Sequence, residues 1–166
     1  MKKEEFLTSA LCLGKLPWAP RVWAALPPVV IYQVLGYLWP AANPYVMVVF
    51  LLAGSSVTVA YAPLVISTVG LKESRQVVTD VFAGQSLTML LITVLSPLEI
   101  CNSMAIGFIL FLMFDYIMPW PCKRLRNILP EGFDILADDL TAGLYAGILA
   151  TVLIRSFPVY FGTCRW

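Results

Sequence analysis

Long apolar runs, broken by short polar or proline-rich connections, set the pattern of this chain. Five runs stand out, at 22–39, 45–69, 77–95, 100–118 and 135–157. A helix that crosses a bilayer needs about 20 mostly apolar residues, so the last four runs are predicted to span. The first is interrupted by Pro27-Pro28. Its remaining part, from Pro28 onward, would reach only ~18 Å as a helix. It is expected to be a kinked span or a re-entrant piece. The pattern predicts an all-α integral membrane bundle of about five helices, one domain over 1–166, with no sheet.

Composition supports a membrane setting. The chain is 60% hydrophobic and 13% charged, and a soluble domain carries roughly twice that share of charge. The first twenty residues hold two early acids and no long apolar core before a small-residue cleavage site, so they are expected to stay in the mature chain. A net charge of +1 with no basic run among aromatics gives no reason to expect a nucleic-acid partner. The sequence contains no histidine, which excludes histidine phosphatases, His-type zinc sites and a Ser-His-Asp triad. The cysteines at 12, 101, 122 and 164 form no C-x-x-C pair and read as small apolar fillers.

The connections set the orientation. Residues 39–44 carry no charge, and 96–102 carry only Glu99. By contrast, 70–76 hold Lys72 and Arg75, and 119–132 hold Lys123, Arg124 and Arg126. With all five runs crossing, the N-terminus and both basic loops share one side, which holds nine of the eleven basic residues. The positive-inside rule makes that side cytoplasmic. Cys101 and Cys164 then fall outside, where a disulfide between them can persist.

On this scaffold the acids converge. Asp80 lies near the start of the third run, Asp115 near the end of the fourth, and Asp138 and Asp139 open the fifth, in "ILADDLTAG" over 135–143. Start, end and start of an up-down-up array is one membrane face. An acid in the first turn of a helix favours the macrodipole, by ~0.3–1 kcal/mol, and that alone could account for Asp80, Asp138 and Asp139. It cannot account for Asp115, which the dipole opposes. Clustered carboxylates repel one another, and a divalent cation removes that penalty. Oxygen ligands without His or Cys suit Mg²⁺, so all four are expected to be metal-holding, catalytic residues. Small residues follow the acids at helical spacing: Gly84 after Asp80, and Gly143 and Gly147 after Asp139, so helix backbones are expected to approach closely there.

At these residues the sequence resembles the phosphatidylglycerophosphatase A family. "VVTDVFAGQ" over 77–85 is similar to a D-E-x-x-G block at Asp80 and Gly84. "FILFLMFDYIMPWP" over 108–121 is similar to F-R-x-x-D-x-x-K-P-x-P at Phe111, Asp115, Pro119 and Pro121. "ILADDLTAGLYAG" over 135–147 is similar to I-x-x-D-D-x-x-A-G at Asp138, Asp139, Ala142 and Gly143. The resemblance implies an all-α membrane enzyme that removes the terminal phosphate of phosphatidylglycerophosphate with Mg²⁺. That would act at the cytoplasmic leaflet of a bacterial inner membrane, on a phospholipid held in the bilayer.

The departures from the pattern carry equal weight. Val81 stands for its second acid, Leu112 for its arginine and Met118 for its lysine. Its N-terminal Gly-Thr-x-Gly-Ser is replaced by Arg21-Val-Trp-Ala-Ala25. Two cations that would pair with phosphate are therefore missing. Lys123 and Arg124 are expected to bind the substrate instead, because Pro119 and Pro121 turn their loop back beside Asp115. Lys15 and Arg21 lie on the same face, and all four also read as topology charges facing lipid headgroups. The alternative function is a catalytically impaired relative that binds a lipid headgroup or a membrane partner.

Overall fold

The computed structural model of the chain describes residues 20–69, 78–96, 103–117, 120, 129–130 and 132–157. Five α-helices account for nearly all of these residues: α1 (Pro20–Leu38), α2 (Asn43–Val69), α3 (Thr79–Leu95), α4 (Ser103–Ile117) and α5 (Phe133–Ser156). A 3-10 turn at Pro40–Ala42 joins α1 to α2, and no strand occurs among the described residues.

The bundle exposes large aliphatic side chains and buries many polar ones beside its apolar core. Val49, Leu52, Ile109 and Val152 lie on its surface, while Asp80, Gln85, Thr88, Asp138 and Asp139 lie inside. Burying polar groups behind exposed aliphatic ones is favourable when the surrounding medium is hydrocarbon rather than water. Two stretches, Pro40–Pro63 and Phe133–Ser156, are long and apolar enough to cross a membrane. Four such runs are expected from the sequence, and the other two are represented among the described residues by shorter apolar helices. Helices α3 and α4 are shorter, with 17 and 15 residues, or ~26 and ~22 Å of helix against a hydrocarbon core of about 30 Å.

Helix α1 is continuous through Pro27 and Pro28, where the sequence pattern suggested a break. A proline costs the helix one hydrogen bond but does not forbid its dihedrals. Packing offsets the loss: Ala24, Ala25, Pro28, Val29 and Tyr32 are all buried against the bundle.

Helix α3 is central. Its buried residues run from Thr79 to Ile92 and include both polar and apolar positions, and its most extensive partners are α5 and α2. The α3–α5 crossing is a backbone contact. A Cβ added to Gly84 would sit 2.5 Å from the Asp139 carbonyl oxygen, and one added to Gly143 would collide with the Gly84 carbonyl. The Thr88 hydroxyl lies 3.2 Å from the Gly84 carbonyl of its own helix and 3.1 Å from the Gly143 carbonyl across the crossing. Gly143→Ala should therefore force the two backbones apart, at a cost of ~1–3 kcal/mol. It should also lower the rate of any chemistry at Asp80 and Asp139 by about 10²-fold, because displacement by about 1 Å is enough. Unfolding midpoints and turnover of the variant would check this, and wild-type values for both would show that the crossing tolerates a methyl group.

Candidate active site

The carboxylates stand at the end of the bundle where α1, α3 and α5 begin and α4 finishes. All are buried: Asp80 is 2% exposed, Asp115 9%, Asp138 6% and Asp139 2%. An aspartate is rarely buried to this degree unless it is paired.

Each is placed by local structure. Asp80 sits in the first turn of α3, where its Oδ1 accepts the Val81 amide at 2.8 Å. Asp115 ends the buried face of α4, which begins at Ser103 and passes through Gly107 and Phe111. For Asp138 and Asp139 the structure revises the helix start. Helix α5 begins at Phe133, after Gly132 with φ +92°, a left-handed conformation that glycine adopts freely. Asp134 holds that start, its Oδ1 accepting the Gly132 amide at 3.0 Å and the Ile135 amide at 2.8 Å. Asp138 and Asp139 therefore lie in the second turn, where the macrodipole no longer accounts for them. The sequence reading does not single out Asp134, although acids are enriched in the first turn of a helix.

The cation at the centre is Arg21, from the second position of α1. Its Nη2 lies 2.9 Å from Asp139 Oδ1, 3.1 Å from Asp139 Oδ2 and 3.0 Å from Asp115 Oδ1. Asp80 is within electrostatic reach of the same guanidinium and of Asp139. So Arg21 ties α1 to α4 and α5, with the start of α3 beside it. Asp138 is buried on the adjacent face of α5, and its backbone carbonyl accepts the Thr141 hydroxyl at 2.8 Å. Among the described residues, no three potential ligands stand arranged around a point that could hold a metal ion. Asp115 and Asp139 are turned to the guanidinium instead.

Beneath the site, Val81 and Phe111 pack with Ala24, Ala25, Val78, Ala142 and Ala146, and Leu112 packs against that cluster. One turn along α3 from Val81, Gln85 is fully buried, and neither its Oε1 nor its Nε2 has a hydrogen-bond partner among the described residues. Lys15, Met118, Lys123 and Arg124 lie outside the described residues, as do Cys101 and Cys164.

The comparisons fall on this arrangement. The family model described as phosphatidylglycerophosphatase A matches residues 6–154, nearly the whole chain. The chain belongs to the phosphatidylglycerophosphatase A family. It is also 31% identical, over 81 residues, to phosphatidylglycerophosphatase A of Escherichia coli (strain K12). That alignment takes in 48% of this chain and 45% of the relative, so the chain spans about half the length of the curated relative it matches. No solved structure matches the chain. Of the positions that depart from the phosphatidylglycerophosphatase A blocks, Val81 belongs to the buried apolar cluster and Leu112 packs against that cluster.

Proposed function

We propose that the chain is a Mg²⁺-dependent lipid phosphatase, which hydrolyses the terminal phosphate monoester of phosphatidylglycerophosphate to leave phosphatidylglycerol and inorganic phosphate. The observation that carries this reading is the burial of Asp80, Asp115 and Asp139, from three helices, around a single guanidinium. Three carboxylates facing one cation leave excess negative charge in a desolvated place, and that is costly to maintain for stability alone. Carboxylate oxygens are the donors Mg²⁺ takes, commonly together with substrate phosphate, and gathering them around one ion would require Asp115 and Asp139 to turn away from the Arg21 guanidinium. Asp80, Asp115, Asp138 and Asp139 would hold the ion, directly or through water. When bound, Mg²⁺ would polarise the phosphoryl group and acidify an attacking water.

The chain's own residues supply the rest. The Val81 amide fixes Asp80, and Arg21 fixes Asp115 against Asp139. The close α3–α5 crossing, with Gly84 against Asp139 and Gly143, holds the start of α3 against α5. Burial keeps bulk water away and strengthens every charge interaction inside. The acyl chains of the substrate would lie along the exposed apolar surface, with the headgroup reaching the carboxylates from the cytoplasmic leaflet. Lys123 and Arg124 are assigned to that headgroup on sequence grounds.

A second reading has its own observation. Val81 and Leu112 replace an acid and an arginine of the family pattern with an apolar pair, which favours a catalytically impaired relative that binds phospholipid headgroups. Phosphate release from phosphatidylglycerophosphate by the purified protein, in Mg²⁺ and after chelation, separates the two. Release that chelation abolishes is the expected result. Headgroup binding without release would replace the phosphatase reading with the second one.

A further inference from the structure

We infer that Arg21 is the phosphate-binding cation of this site, supplied from α1 in place of the arginine and lysine whose positions Leu112 and Met118 occupy. The inference rests on the phosphatase reading for the identity of the anion. Its own basis is geometric.

Among the described residues, Arg21 makes its ion pairs through one nitrogen, Nη2, to Asp115 and Asp139. Its side chain is 43% exposed, but its Nε is buried and has no hydrogen-bond partner among the described residues. A desolvated N–H without an acceptor is unfavourable, and a tetrahedral oxyanion beside it supplies the acceptor. The two carboxylates come from different helices, so they hold the guanidinium in one orientation before any ligand arrives. Such bracing lowers the ordering cost of binding.

A second observation explains why the cation comes from α1. Val81 lies in an apolar cluster and Leu112 packs against it. With the acid and the arginine of the pattern both absent, no unpaired charge is left in that cluster. The same cluster contains Ala24 and Ala25, one turn beyond Arg21. Their small side chains let the start of α1 lie close against α3 and α4. The replaced N-terminal block thus provides both the cation and the smooth face that seats it. Arg155, the other basic residue among those described, donates to the Leu95 carbonyl at the opposite end of the bundle.

The test uses the full chain in detergent micelles with Mg²⁺, titrated calorimetrically with inorganic phosphate. Arg21→Ala is expected to weaken phosphate binding about tenfold or more, the scale of one lost charge-assisted contact. Arg21→Lys keeps the charge and both ion pairs but loses the planar fork, and should fall between the two. Added guanidinium ion should restore part of the binding in Arg21→Ala and none in Arg21→Lys. Unfolding midpoints are read on the same samples. A folded Arg21→Ala protein with wild-type phosphate affinity overturns the inference, as does a wild type that binds no phosphate. If Arg21→Ala does not fold, Arg21→Lys decides: weaker binding at an unchanged midpoint supports the inference, and unchanged binding overturns it. Phosphate release from phosphatidylglycerophosphate separates this inference from the phosphatase reading. Wild-type release and phosphate affinity in Arg21→Lys would leave the enzyme standing without a role for Arg21. Arg21-dependent phosphate binding without release would leave the anion site standing and remove the phosphatase.

Discussion

Val81→Glu alone is expected to destabilise the protein by about 3–5 kcal/mol, the scale of an uncompensated buried charge. Val81 is fully buried, and a carboxylate there would join Asp80 and Asp139 without a new cation. Adding Leu112→Arg should recover much of the loss, because Leu112 packs against the cluster that contains Val81. Gln85, one turn from Val81 with its carboxamide unpartnered among the described residues, is placed to hydrogen-bond the restored acid. The interaction term from the double-mutant cycle should be about 1–3 kcal/mol in favour of the pair. Unfolding midpoints of the wild type, both single variants and the double variant measure it. A Val81→Glu protein as stable as wild type, or a double variant no better than the worse single one, would show that the two positions are not a replaced charge pair.

Much of the fold was legible because hydrophobic runs bounded by proline and charge define helices directly. The boundaries of α3 and α4 differ from the predicted runs by only a few residues. The continuity of α1 through Pro27 and Pro28 is not legible locally, because the packing of Ala24, Ala25 and Pro28 offsets what proline costs a helix. The start of α5 lies two residues before the predicted run, at Phe133 after Gly132, with Asp134 in the first turn accepting the Gly132 and Ile135 amides. The small residues Gly84, Gly143 and Gly147 mark close helix approach in the sequence, but not which of them meet. In the structure Gly143 meets Gly84, and no spacing rule names a partner in another helix.

The candidate site divides in the same way. The topology brings the start of α3, the end of α4 and the start of α5 to one end, and an up-down-up pattern carries that information. Arg21 was one of several basic residues on the expected face. It lies 118 positions from Asp139 in the sequence, so nothing local separates it from a topology charge. Its role emerges only when α1 is packed against α3 through Ala24 and Ala25.

Asp115 is the acid that local helix physics explains least. It lies near the C-terminal end of α4, where the macrodipole disfavours a negative charge, yet it is 9% exposed and paired with Arg21. The variant Asp115→Asn keeps the shape, removes the charge and relieves that unfavourable dipole interaction. Phosphate release from phosphatidylglycerophosphate by this variant, in Mg²⁺ and beside an unfolding curve, therefore tests the central claim most directly. The account predicts a folded protein whose release falls by about 10²–10³-fold, the scale of removing one charge-stabilising group from an active site. A folded Asp115→Asn protein that releases phosphate at the wild-type rate would contradict it.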